Sequence, residues 1–209
     1  MYGVSVAIKI RRVNYDSVCK PPWHSGDCNG FVIRLHLNAS VRVRQGALKI
    51  YIGMKIVDNF IFFWGGWLSN FHPCRIVFGS KVFKSSEQLF MYLKALHFGD
   101  VETAEKILLA ETPKEAKNLG REVRNFDEKS WNEVKIQKMY LALEGKFSQN
   151  KDLMDKLKDP ALDGKFFVEA SPFDRIWGIG YDQDHALQNQ SNWGENLLGK
   201  TLTFYRGSL

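Results

Sequence analysis

The chain has 209 residues, 44% hydrophobic and 13% aromatic, enough to bury the core of one domain or of a domain plus an extension. The net charge is +6, and through Asp58 nine Lys and Arg residues stand against three acids, so the rest of the chain is balanced. No apolar run approaches the roughly 18 residues of a membrane span, and no leader pattern of basic start, apolar stretch and small-residue site opens the chain.

Three cysteines (Cys19, Cys28, Cys74) are an odd number without metal-type spacing, which reads as reduced thiols in the cytoplasm. The histidines His24, His36, His72, His97 and His185 form no His-x-x-x-His pair, and no Gly-rich nucleotide loop is present. The expectation is therefore no metal and no cofactor.

Residues 1–53 carry the basic excess. Val4, Val6, Ile8 and Ile10 alternate with smaller or polar residues, as do Leu35, Leu37, Val41 and Val43, and then Leu48, Ile50, Ile52, Met54 and Ile56. Period two predicts strands. Four readings stay open: short strands on the main domain, a weak basic module, no stable structure, or an added extension ahead of an independent start at Met54. Such a stretch suits electrostatic contact with nucleic acid.

The main domain, 54–209, opens with Phe60-Ile61-Phe62-Phe63-Trp64, a buried strand ended by Gly65-Gly66. Trp67 to Pro73 is a loop of aromatic and small polar residues, the kind that holds ligands or packs on a core. Arg75 to Phe83 alternates around Gly79-Ser80 and predicts a hairpin. Ser85 then caps a helix, with Gln88 at capping-box spacing and predicted to reach back to the Ser85 amide. Glu87 falls in the first turn, where the helix dipole favours a carboxylate. Lys94 lies seven residues on, within roughly 20° around the axis, on a helix otherwise rich in Leu, Phe and Met.

Asp100 caps a helix through Leu109. Thr112-Pro113 starts another, predicted to end at Gly120, with Arg121 placed to reach a phosphate or carboxylate. Asp127 caps the longest helix, whose apolar face includes Trp131 and Met139; Trp131 reads as core on spacing alone. Gln149 to Leu157 is a short helix stopped by Asp159-Pro160, and Lys165 to Ala170 is a strand. Ser171 to Gly180 packs a proline, Asp174, Arg175, Trp177, Gly178 and Gly180 into ten residues, which suggests a ligand wall where glycine lets backbone come close. Asn192 to Gly199 repeats that chemistry and opens the last helix.

Five motifs now stand in order. They are Leu68-Ser69-Asn70-Phe71, then Ser86-Glu87-Gln88 with Lys94, then Gly120-Arg121. Val168-Glu169-Ala170-Ser171-Pro172 follows, with Asp174 and Trp177-Gly178-x-Gly180, and last Trp193-Gly194-x-Asn196-x-Leu198-Gly199. Together they resemble the NADAR family, also called the YbiA-like family of riboflavin-intermediate N-glycosidases, over about Phe60 to Phe204. The resemblance implies a compact, predominantly helical α+β domain with a short strand region. It implies an enzyme that hydrolyses C–N bonds between ribose and a base or amine. The substrates it implies are phosphoribosylamino-pyrimidine intermediates, or ADP-ribosyl guanine in nucleic acid. It also implies catalytic roles for Glu87, Lys94 and Asp174, with Trp177 as the aromatic beside that acid. Gln88 stands where some members carry histidine, so a proton-shuttling neighbour is missing here.

Cleaving an N-riboside builds positive charge at the anomeric carbon, which a fixed carboxylate such as Glu87 stabilises while it deprotonates water. Burial raises the pKa of Glu87 and the helix N-terminus lowers it, and both outcomes stay open. Asp174 serves as a second acid/base group or a binder of ribose hydroxyls, and Lys94 as an amine that captures an opened sugar. Phe71, Trp177 and Trp193 are candidates to stack on the base, Arg121 to bind phosphate. Asn70, Trp131, Gly178 and Asn196 complete the substrate-binding set. Two other readings remain: a non-catalytic ADP-ribose or NAD-type binding module, which needs no paired Glu and Lys, and a nucleic-acid-binding protein acting through residues 1–53.

Overall fold

The computed structural model describes residues 53–209, and the alternating segments expected before Gly53 lie outside the described residues. Strand β1 (Met54–Val57) runs antiparallel to β2 (Phe60–Phe63), with Met54 opposite Phe63. All four residues of β2 are buried, as befits a central strand covered on both faces. A 3-10 turn at Gly66–Leu68 leads into the aromatic loop. The predicted hairpin follows as β3 (Ile76–Phe78) and β4 (Lys81–Phe83), turning at Gly79 with φ of 60°.

Helices α1 (Ser86–His97), α2 (Val101–Leu109), α3 (Pro113–Arg121) and α4 (Glu128–Ser148) come next. Each starts at its predicted cap. The side-chain oxygens of Ser85, Asp100, Thr112 and Asp127 accept the amide N–H groups of Gln88, Thr103, Glu115 and Ser130. Helix α3 runs one residue past its predicted stop.

Gln88 departs from the predicted capping box. Its Oε1 accepts from the Lys84 amide at 2.7 Å, not from Ser85. Its Nε2 donates to the carbonyls of Ile107, Leu108 and Ala110 at the end of α2. Carbonyls at a helix end are left short of intrahelical partners, and a buried amide must place both its donors and its acceptor. The side chain therefore ties the start of α1 to the end of α2.

Helix α5 (Lys151–Leu157) precedes β5 (Phe166–Glu169), which returns parallel to β2 and gives the strand order β1-β2-β5, with Glu169 opposite Phe63. The whole run from β3 to α5 is the crossover that such a parallel pair requires. Helix α6 (Leu197–Gly207) packs on β5 and α4. The core lies between the sheet and the helices. It joins Phe63 and Phe167 to Leu89 and Phe90 of α1, Leu143 and Phe147 of α4, and Leu202 of α6. The result is a predominantly helical α+β fold.

The start of α6 presses on β5. A Cβ at Gly199 would overlap the carbonyl oxygen of Phe167, a backbone atom with little room to move. Gly199→Ala is expected to cost about 1–3 kcal/mol of stability by overpacking. At roughly 2–4 °C per kcal/mol for a chain of this size, the Tm should drop by several degrees in a thermal melt. An unchanged Tm would mean that this close approach relaxes freely.

Candidate active site

A cleft of about 170 Å³ opens where the first turn of α1, the face of α3, the end of β5 and the 69–71 loop meet. Three carboxylates line it (Glu87, Glu169 and Asp174), together with three cations (Lys94, Lys117 and Arg121). Its apolar lining includes Phe71, Phe90, Met91, Trp131, Met139 and Trp177.

Glu87 is set by its backbone. Its amide donates to the carbonyl of Asn70 at 3.1 Å, and Ser86 Oγ donates to both the carbonyl and Oδ1 of Asn70. Asn70 is itself buried, with Nδ2 against the sulfur of Met139 at 3.2 Å. Beneath this loop the fully buried Lys146 donates to the carbonyl of Ser69 at 2.7 Å. Burial pushes the Lys146 amine down to about 7.

The carboxyl of Glu87 is 6% exposed and pushed up to about 7. Burial is the main cause; Lys117 opposes it, the Asp174 charge adds to it, and the Asn70 amide and Arg121 oppose it. Loss of water is thus the largest influence on this carboxyl, which stays raised in the first turn of α1.

Lys94 lines the same cleft but makes no ion pair with Glu87. Its Nζ donates to the carbonyl of Gly120 at 2.7 Å and sits 4.4 Å from the centre of the Phe126 ring. Burial lowers its pKa. Arg121, exposed at the end of α3, makes no hydrogen bond or ion pair among the described residues. Lys117, one turn earlier on the same helix, lies 4.0 Å from Asp174 Oδ2 and 5.7 Å from the Phe71 ring.

Asp174 is held as a turn. Its Oδ1 accepts the amides of Ile176 at 2.9 Å and Trp177 at 2.8 Å. This fixes Trp177, whose ring meets Phe90 edge-on at 5.0 Å. Trp131 is buried against Phe90 at 5.4 Å yet still lines the cleft.

Three residues expected to bind substrate sit elsewhere. Trp193 turns its indole N–H to the Ala186 carbonyl at 2.8 Å and lays its ring edge-on to Phe60 and Phe62, covering the sheet. Gly178 is needed because a Cβ would meet the Glu169 carbonyl at 2.8 Å; the close approach is to the chain's own backbone. Asn196, in the left-handed region with φ of 51°, clamps β5. Its Oδ1 accepts the Glu169 amide at 2.9 Å and its Nδ2 donates to Phe167 at 3.0 Å. Gly178 and Asn196 thus hold the 171–180 loop and the start of α6 onto the strand that ends in Glu169, while Trp193 covers β2.

Conversely, Glu169, Lys117 and Lys146 were not singled out as site residues. Glu169 shares its strand face with core residue Phe167, two positions back, so an acid on an inward-facing register was a readable signal. Lys117 stands four before Arg121, on one helix face. Lys146 stands seven after Met139, on the face that meets the 69–71 loop. Burial pushes the Glu169 carboxyl up to about 8, the charges of Asp174 and Glu87 push further, and Lys117 opposes them. No group of three His, Cys, Asp or Glu side chains among the described residues could hold a metal ion, and no described helix is long and apolar enough to cross a membrane.

The protein is 44% identical over 131 residues to Protein irg-1 of Caenorhabditis elegans, and spans 61% of that relative's length as of its own. It is 44% identical over 120 residues to N-glycosidase R617 of Acanthamoeba polyphaga mimivirus, covering 56% of this chain and 69% of that protein. The NMR structure of the Escherichia coli protein YbiA matches with a TM-score of 0.58 at 29% identity, over 76% of this chain and 89% of that one. The family model described as NADAR domain matches residues 62–209. That span runs from the middle of β2 to the C-terminus and takes in every residue of the cleft, so the chain belongs to the NADAR domain family.

Proposed function

We propose that this chain is an N-glycosidase that hydrolyses the C–N bond between a ribosyl anomeric carbon and a base or amine. The observation that carries the reading is the desolvated Glu87 carboxyl in a small cleft beside cations on α1 and α3. Membership of a family with a relative named as an N-glycosidase supports it.

In this reading the Glu87 carboxylate stabilises the positive charge that develops on the sugar and takes the proton of the attacking water. A cleft this small suits a ribose and the atoms around its anomeric carbon. Arg121, without a partner among the described residues, meets a phosphate in this reading. Phe71 and Trp177 hold the base. Lys94 is the candidate for a covalent route on substrates with an exocyclic amine, where the sugar opens to an imine and the lysine displaces the leaving amine. Its lowered pKa favours the free amine that such an attack needs. Two substrates fit this chemistry, a phosphoribosylamino-pyrimidine and an ADP-ribosylated guanine in DNA.

Product detection by mass spectrometry with both substrates tests the reading. Release of the sugar with restoration of the free amine or guanine is expected from at least one, and ligand binding without product over hours would leave a binding module instead. Glu87→Gln should lower kcat at least about 10²-fold. Its Tm at pH 8 should be equal or higher, because a carboxyl raised in the fold opposes folding once the pH passes its ordinary value. On the acid side, kcat/KM of the wild type should fall below about pH 7 as Glu87 gains its proton; a flat profile there would remove Glu87 as the base. Borohydride added during turnover of the amine-linked substrate should leave a sugar adduct on Lys94 by peptide mass. If only Lys94→Arg retains full activity and no adduct forms, the covalent route is wrong.

A further inference from the structure

We propose that Glu169 is the proton donor to the leaving nitrogen, working opposite Glu87 as two carboxyls that share one proton. The proposal rests on the glycosidase reading and assigns a residue to the departure of its leaving group.

The geometry separates the three acids of the cleft. Asp174 Oδ1 is already a double acceptor of two backbone amides, and its other oxygen faces Lys117. That arrangement suits a fixed anion, not a donor. Glu87 is flanked by the Asn70 amide and, on α3, by Lys117 and Arg121, all of which favour its charged form. Glu169 has no hydrogen-bonded donor at its side chain among the described residues. It is pinned instead through its backbone, by Asn196 at its amide and by the Ile179 amide at its carbonyl, 3.0 Å away.

The charged groups around Glu169 point the same way. Asp174 on the following loop and Glu87 on α1 both press it to keep its proton, and Lys117 on α3 alone opposes them directly. Lys94 of α1 and Arg121 of α3 also line the cleft as cations, and the other elements that reach it bring uncharged side chains, Leu198 from α6 and Trp131 and Met139 from α4. Burial and the two negative charges favour a proton on Glu169, while the Asn70 amide, Lys117 and Arg121 favour the charged form of Glu87. One acid and one base then face a single small cleft, which is the division of labour that C–N hydrolysis needs.

The step balances. The bond between the anomeric carbon and nitrogen breaks with its electron pair going to nitrogen, which takes the proton of Glu169. Water adds its oxygen to the anomeric carbon and gives a proton to Glu87. The free amine or base and the ribose hemiacetal leave, and the proton on Glu87 passes back to Glu169 through the cleft or solvent.

Two measurements test this. The first is the infrared carboxyl stretch of the full chain titrated without substrate, wild type against Glu169→Gln. A protonated-carboxyl band that disappears near pH 8 in the wild type and is missing in the variant is expected. The second is the pH profile of kcat/KM on whichever substrate the wild type turns over. The wild-type rate should fall above about pH 8. Glu169→Gln should be at least about 10²-fold slower and lack that alkaline fall, while Glu169→Asp should recover part of the rate and keep it. A variant with the wild-type rate and alkaline limb, or no carboxyl that titrates above neutral pH, overturns the proposal. If the wild type turns over neither substrate, the glycosidase reading fails on its own, and the infrared titration still decides whether Glu169 holds a proton. Should Glu169→Gln fail to fold, the wild-type titration and Glu169→Asp carry the test.

Discussion

The amide of Glu87 donates to the carbonyl of Asn70, and this contact fixes where the 69–71 loop closes on the first turn of α1. The closure removes water from the Glu87 carboxyl and leaves it among the cleft groups. Everything nearby supports it. Ser86 bonds Asn70 a second time, Met139 receives the Asn70 side chain, and Lys146 holds the Ser69 carbonyl from below. A helix N-terminus normally offers its free N–H groups to water or a cap. Here one of them is spent on a loop that also walls the site.

The opposite wall depends on β5. Its parallel pairing to β2 ends at Glu169 opposite Phe63, and the Asn196 clamp and the Gly199 contact draw α6 onto it. The short 171–180 loop then returns over the strand, with the Ile179 amide on the Glu169 carbonyl and the Gly180 amide on Ser171. Two acids from distant parts of the chain are thereby brought to one cleft by separate rigid elements, a helix start and a strand end. Sites built on such elements hold their geometry better than sites built on loops alone.

Burial of ionisable groups sets opposing demands on stability. Glu87 and Glu169 are raised in the fold, so their cost is absent below their ordinary value and grows as pH rises towards 7 and 8. Lys146 is lowered, so its cost is absent at high pH and grows as pH falls towards 7. Near neutral pH all three groups weigh against the fold. This is the expected mark of a site where function and stability pull apart, and the apolar core beneath α1 and α4 must offset it.

Helix starts were legible because capping is local. Ser85, Asp100, Thr112 and Asp127 each satisfy an amide within three residues, and no distant contact changes that requirement. The hairpin at Gly79 and the acid in the first turn of α1 were legible for the same reason. Motif resemblance pointed to Glu87, Lys94 and Asp174, which line one cleft, but Trp193, Gly178 and Asn196 looked alike as ligand chemistry, while in the fold Trp193 covers β2, Gly178 lets a loop approach β5 and Asn196 clamps β5 to α6. Glu169, Lys117 and Lys146 sit on faces that the strand and helix periods point inward, but that these faces meet one loop and one cleft depends on elements far away in the chain. The sequence by itself determined where α1 to α4 begin, the hairpin at Gly79 and the acid poised at the start of α1. Only the tertiary structure decided which side chains lose their water and which charges face one another, because desolvation and Coulomb energy depend on distances in space and not on separation along the chain.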